Sequence, residues 1–294
     1  MSLKLKGIIP PMATPFTRDQ ELDEAALRRE VQHMLKAGVH GLTIGGSTGE
    51  GHTLSVEESC RLAAVTIDEV KGRVPVISGI IRDSTREVIR YGRALKDVGV
   101  DALQITPVHY LFTSGDEGTL SYYDEIGRAV QLPIVVYNVV PWNTIYPPTL
   151  LKLAELEWVV GVKQSGGDIH KLADLLAANR GRLRVLTAID ALLYPSFLLG
   201  AHGAVAAILT VVPEMCVELW DACQRRDLDR ARDLHERILP IWRALEAPDL
   251  PARVKAALEM LGRPVGPARH PIQAVNVEVR EKIRAALDVA RAQV

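Results

Sequence analysis

Eight short runs of apolar and β-branched residues, separated by amphipathic stretches, constrain the fold of this 294-residue chain more than any other feature. They span residues 7–12, 41–45, 75–80, 102–106, 133–138, 159–164, 184–188 and 203–208. Each run is apolar almost throughout, as expected of a strand covered on both faces. Between them the periodicity is helical, for example over 55–71, 85–98 and 117–130. Ser55 followed three residues later by Glu58 reads as a capping box. Gly38, Gly99 and Gly200 stand where helices give way to strands. Eight strand–helix repeats predict an α/β architecture, a closed (β/α)8 barrel. Beyond residue 208 the strand pattern stops, and residues from about 211 to 292 read as three or four helices punctuated by prolines. The expected organisation is a catalytic barrel over residues 1–223 with a helical extension over 224–294.

Composition narrows the class. The net charge is −1 and the basic residues are dispersed, so no electrostatic footprint for nucleic acid or an anionic membrane exists. Cys60, Cys216 and Cys223 are odd in number and form no C-x-x-C pair. That argues against a disulfide framework or a cysteine zinc site and fits a reducing cytoplasm. The amino-terminal residues lack the apolar core of a signal peptide. The apolar stretch 191–215 is interrupted by Pro195, Gly200, His202, Gly203 and Pro213. A buried helix followed by a buried strand explains it better than a membrane span.

Active sites of such barrels lie at the carboxyl ends of the strands. The residues to weigh there are Thr14, the 45–50 loop, Thr106, Tyr137 with Asn138, Lys163 and Asp190. Among ten lysines, Lys163 alone is embedded in a strand-like run. Burial of an amine favours its neutral form, the nucleophile that attacks a carbonyl. The competing reading is a lysine paired with a carboxylate, or one facing water at a strand end. Gly45-Gly46-Ser47-Thr48-Gly49-Glu50-Gly51 lacks the endings of nucleotide-binding loops, and its small residues suit a carboxylate better than a polyphosphate. A glycine-rich turn without function is the alternative. Tyr137 could move a proton beside Lys163, or be a core tyrosine. No two histidines have metal-ligand spacing.

Together these segments resemble the dihydrodipicolinate synthase / N-acetylneuraminate lyase family over essentially the whole chain. The resemblance rests on Gly45-Gly46-Ser47-Thr48-Gly49-Glu50, Tyr137-Asn138-Val139 and Gly161-Val162-Lys163-Gln164. It implies that Lys163 forms a Schiff base with a 2-oxo acid and that Tyr137 relays protons with help from Ser47. It also implies that Gly46, Ser47 and Thr48 hold the pyruvoyl carboxylate. Ser165, Asp190, Val205, Trp142 and Asn143 are the further positions expected to line the substrate site. No metal and no cofactor are implied, and family members are usually cytoplasmic homotetramers. The sequence departs from the family in three places. The segment after Tyr137 is one residue longer and lacks the arginine that grips a second carboxylate, Trp142-Asn143-Thr144 standing there instead. His109, with Tyr110 beside it, occupies the place of the relay tyrosine given to a neighbouring subunit. Asp190-Ala191 keeps one of two acidic residues that bind a sugar tail.

The reading is a class I aldolase, lyase or hydro-lyase acting on a 2-oxo acid, with pyruvate as product or co-substrate. The departures favour an apolar or deoxy-sugar partner over the family's synthase reaction, which is the alternative. A non-catalytic barrel that binds a ligand or partner, and a metal-dependent aldolase, are the rivals from other classes.

Overall fold

The computed structural model describes residues 3–292. Its eight strands are β1 (Gly7–Ile8), β2 (Leu42–Ile44), β3 (Val76–Ile80), β4 (Ala102–Ile105), β5 (Ile134–Asn138), β6 (Val159–Gln164), β7 (Arg184–Thr187) and β8 (Gly203–Ala204). All pair in parallel, in the order β1-β8-β7-β6-β5-β4-β3-β2. Pro10 and Pro11 have no N–H to give a ladder, so regular β1 ends at Ile8. The chain nevertheless stays extended. Thr43 donates to the Pro10 carbonyl at 2.9 Å, Met12 donates to Thr43 at 2.8 Å, and a Pro11–Thr43 bridge closes the barrel. The (β/α)8 expectation is met.

Helices α1 (Glu24–Lys36), α2 (Val56–Val70), α3 (Thr85–Val98), α4 (Gly115–Val130), α5 (Pro147–Leu153), α6 (Ile169–Asn179) and α7 (Leu193–Leu198) follow the first seven strands. The predicted capping box is present: Ser55 accepts from the Glu58 N–H at 3.1 Å, and Glu58 accepts from the Ser55 N–H at 2.9 Å. Gly99 closes α3 in the left-handed region. The last strand is shorter than residues 203–208 suggested. The Asp190 carboxylate accepts the Ile208 N–H at 2.8 Å, and turns from Ala206 and Ala207 begin short helix α8 (Ile208–Val211). Then come α9 (Pro213–Arg225), α10 (Leu228–Leu245), α11 (Leu250–Met260) and α12 (Val277–Ala292). The expected 223/224 boundary falls within the last turn of α9. Among the described residues no helix is long and apolar enough to cross a membrane.

Two apolar layers hold the barrel. Most buried side chains lie between strands and helices. A smaller cluster, Ile9, Ile77, Ala102, Val135, Leu186 and Val205, fills the barrel interior. Side chains alternate along a strand, so the next inward positions toward the carboxyl ends are Gln104 on β4 and Tyr137 on β5. On β6 an irregularity decides what points inward. Ile134 is opposite Val159, but Val135 is opposite Gly161, leaving Val160 as an extra residue. That bulge brings Lys163 opposite Tyr137. A glycine suits position 161, because a Cβ there would lie 2.8 Å from the Arg184 carbonyl oxygen.

Candidate active site

Lys163 and Tyr137 leave the same face of adjacent strands, and both are buried. The Lys163 Nζ lies 4.1 Å from the centroid of the Tyr137 ring. Among the described residues Lys171, Lys255 and Lys282 pair with carboxylates, and Lys163 does not. The paired-lysine alternative is thereby set aside. The Tyr137 hydroxyl donates to Ser47 Oγ at 2.9 Å, and Ser47 is exposed at the barrel mouth. The arrangement is an amine, a phenol and a hydroxyl at the top of the barrel, suited to carbonyl addition with local proton transfer.

The 45–51 segment folds back tightly enough that side chains would not fit. A Cβ on Gly51 would lie 1.8 Å from the Gly45 carbonyl oxygen, and one on Gly79 would lie 2.5 Å from it. Gly51 donates to the Gly46 carbonyl at 3.0 Å, Glu50 donates to Ser47 at 3.1 Å, and Thr14 Oγ1 donates to Gly49 at 2.5 Å. Among the described residues neither the Ser47 nor the Thr48 amide donates to a protein acceptor. Two adjacent amides and the Thr48 hydroxyl are a suitable cradle for a carboxylate. Gly46 is buried, and a Cβ there would approach Gln104 Nε2 at 3.8 Å.

The sequence reading names Asn138 and Gln164 only as neighbours of Tyr137 and Lys163, without the role they take here of joining β5 to β6 beside those two residues. Asn138 Nδ2 donates to Gln164 Oε1 at 2.9 Å and to the Ile145 carbonyl at 2.8 Å, while its Oδ1 accepts the Ile145 N–H at 2.9 Å. Amides beside motif residues were the available signal. Glu50, Lys255 and Arg269 were also missed as a group. Lys255 Nζ pairs with Glu50 at 2.7 Å, and the Arg269 N–H donates to the same carboxylate at 2.7 Å.

The remaining sequence candidates sort by position. The Ser165 hydroxyl oxygen is enclosed without a hydrogen-bond partner, and its N–H donates to Asn138 at 3.3 Å. Val205 is fully buried in the interior apolar layer. Asp190 caps α8 through Ile208 and keeps partial solvent access, yet packing around its carboxyl pushes its pKa up to about 6. Desolvation is the dominant cause, opposed by the Ile208 N–H and by the Lys163 charge.

The rim loops are tied to one another. Asp83 accepts the N–H groups of both His109 and Tyr110, and its carboxylate lies 3.1 Å from His109 Nδ1. Trp142 Nε1 donates to the His109 carbonyl at 3.0 Å, and Asn143 Nδ2 donates to Val108 at 2.8 Å. These bonds clamp the loop after β5 onto the loop after β4. Neither His109 nor Tyr110 bonds to Ser47 or Tyr137 within this chain, so the structure does not bring them to the dyad. Among the described residues no three His, Cys, Asp or Glu side chains form a metal-holding group.

The sequence matches the model of the dihydrodipicolinate synthetase family over residues 4–290. The chain belongs to the dihydrodipicolinate synthetase family. It is a class I, Schiff-base-forming lyase. It is 37% identical over 289 residues to 4-hydroxy-tetrahydrodipicolinate synthase of Methanopyrus kandleri, covering 97% of this chain and 96% of the relative. It is 36% identical to the same-named enzyme of Symbiobacterium thermophilum, covering 95% and 96%. A chloride-inhibited dihydrodipicolinate synthase from Acinetobacter baumannii, solved with pyruvate, superposes with a TM-score of 0.92 at 30% identity, covering 98% of this chain and 99% of that one.

The Asp190 environment yields a pH prediction. Its folded pKa, about 6, lies above its ordinary value of 3.8. The protonated carboxyl is therefore favoured in the fold, a contribution fully present below the ordinary pKa and lost as pH rises through about 6. Asp190→Asn removes that ionisation. Melting curves between pH about 4 and about 8 should show wild type losing stability relative to the variant as pH rises. Parallel curves across the range would refute the assignment.

Proposed function

We propose that Lys163 condenses with the keto group of a 2-oxo acid, with pyruvate as product or co-substrate. The observation that carries this reading is the buried Lys163 amine against Tyr137, whose hydroxyl is bonded to Ser47. The amine adds to the keto carbon, water leaves, and the resulting protonated imine draws electrons from the neighbouring carbon. A proton or an aldehyde fragment can then leave or join at that carbon, and hydrolysis returns the free amine. The Ser47 and Thr48 amides hold the carboxylate, and Tyr137 with Ser47 carries protons to and from the reacting atoms. Ser165 and Asp190 stand at the ends of β6 and β7, where the far part of the substrate would reach. Val205 forms part of the apolar floor, and Trp142 with Asn143 forms the rim.

The second fragment is read as an aldehyde without a carboxylate near its reacting end. From residue 129 to 179 the chain has no arginine. Arg82, in the loop after β3, is committed elsewhere. It donates to the Ile81 and Leu54 carbonyls at 2.6 Å each and stacks 4.5 Å over the Tyr91 ring. Holding a carboxylate in a partly dry site calls for a counter-charge or several donors. The second reading is 4-hydroxy-tetrahydrodipicolinate synthesis from pyruvate and aspartate semialdehyde. The name shared by the curated relatives favours it.

Treatment with pyruvate and borohydride should attach a reduced adduct to the Lys163 peptide in wild type and not in Lys163→Ala. An unmodified Lys163 would remove it as the Schiff-base lysine. Coupled turnover of pyruvate with aspartate semialdehyde then separates the two readings. The missing charged contact should depress kcat/KM by about ten- to a hundredfold against dedicated synthases. Parity would promote the second reading.

Tyr137→Phe keeps the ring and its packing while removing the proton-carrying hydroxyl. Steady-state assays should find kcat lower by about 10²–10⁴-fold in a folded protein. A near-normal kcat would make Tyr137 a packing residue.

The rim also supports self-association into a homotetramer. Tyr110, Leu111 and Phe112 are 68%, 70% and 74% exposed on one loop. Neighbouring apolar side chains in water at this density are characteristic of a surface that another chain covers. Light scattering should return four times the 32.3 kDa chain mass. A fully active monomer would contradict the shared-site arrangement.

A further inference from the structure

Glu50 is completely buried and left-handed, with φ of 54°, a conformation that non-glycine residues rarely adopt. Its backbone N–H is bonded to Ser47, so its placement fixes the orientation of the Ser47–Thr48 peptides. What holds Glu50 comes from the far end of the chain. Lys255 on α11 is 4% exposed and pairs with one carboxylate oxygen at 2.7 Å. Lys255 Nζ also donates to the Pro267 carbonyl at 2.7 Å and lies 4.4 Å from the Phe16 ring centroid. The second oxygen accepts the Arg269 N–H at 2.7 Å. The Arg269 guanidinium stacks 4.3 Å over the same Phe16 ring, donates to the Thr53 carbonyl at 3.0 Å, and pairs with Glu58. Both carboxylate oxygens are thus held by the extension, and the residues holding them are anchored around the barrel mouth.

We infer that Lys255 and Arg269 form a clip that sets the geometry of the carboxylate-binding turn through Glu50, making the helical extension part of the substrate site. The inference rests on the reading that the Ser47–Thr48 turn holds the 2-oxo acid carboxylate. Lys255 and Glu50 are positioning residues, because neither reaches the reacting atoms. A buried ion pair is an expensive way to secure stability alone, since an apolar pair of similar size often does as well. Together with the Arg269 N–H bond to the other oxygen, the pair instead fixes one placement of the turn.

The test measures how pyruvate concentration governs borohydride trapping at Lys163 in the full-length chain. The neutral double variant Glu50→Gln/Lys255→Met leaves no unpaired buried charge, so it should fold. Its half-saturating pyruvate concentration should rise by about ten- to a hundredfold, with trapping at saturation retained. Lys255→Met alone should raise it similarly and also lower the melting temperature, while Lys255→Arg should recover part of the loss. Reversible unfolding raises the half-saturation point by the reciprocal of the folded fraction, so the folded fraction of each variant, read by circular dichroism without pyruvate, is divided out before the comparison. Thr48→Val serves as the control for the underlying reading. If Thr48→Val raises the half-saturation and the double variant stays within about twofold of wild type, the clip is overturned while the carboxylate site stands. If neither variant moves it, the carboxylate-site reading falls, and the clip with it.

Discussion

The site depends on a single extra residue in β6. Were β5 and β6 paired without a bulge from Ile134 and Val159 onward, Tyr137 would face Val162. Lys163 would then turn outward among the helices, since a slip of one residue exchanges the two faces of a strand. Val160 absorbs the offset, Gly161 makes room for it, and Lys163 comes to the inner face beside Tyr137. The amide pair between Asn138 and Gln164, one residue further along each strand, locks the register at the point of use. A buried unpaired amine is costly, and this one is tolerated because the strand pairing on either side is over-determined.

The sequence made the strand visible but not its facing. Residues 159–162 are apolar or glycine at every position, so no alternation tells which side chains point inward. A lysine in that run was the legible part, and the bulge belongs to pairing with a neighbour. The same limit explains the ends of β1 and β8. The expected run 7–12 passes through Pro10 and Pro11, which have no N–H to give, and regular pairing ends earlier, at Ile8. The stop after Ala204 follows from Asp190 capping Ile208, a contact made by a different loop. Capping boxes and helix-ending glycines were legible because their partners lie three or four residues away.

Around the 45–51 turn the glycines were readable and their support was not. Gly45, Gly49 and Gly51 announce a backbone that folds on itself, and in the fold their backbone atoms lie against one another. Glu50 reads as another loop residue until the chain returns to it from Arg269, 219 positions away. Nothing local in the α11 sequence distinguishes Lys255 from a solvated lysine. Contacts of that separation are set by topology, here by helices that follow the last strand and pack back across α8 and α9.

The rim and the floor obey different rules, which is why the family was clear and the second substrate was not. Floor residues are fixed by strand register and by close backbone packing, so few residue types satisfy them. Rim residues are held by a few side-chain to backbone bonds between loops. Trp142 and Asn143 give their donors to His109 and Val108, and Asp83 gives an acceptor to the same loop. With those groups engaged in joining loops, the rim offers its remaining apolar surface, such as the Trp142 ring at 62% exposure, to whatever enters. On the proposed reading, discrimination there would proceed by shape and by the absence of a counter-charge, a weaker filter than paired hydrogen bonds. A barrel built this way keeps its imine chemistry constant while the loops above it change what the imine is joined to.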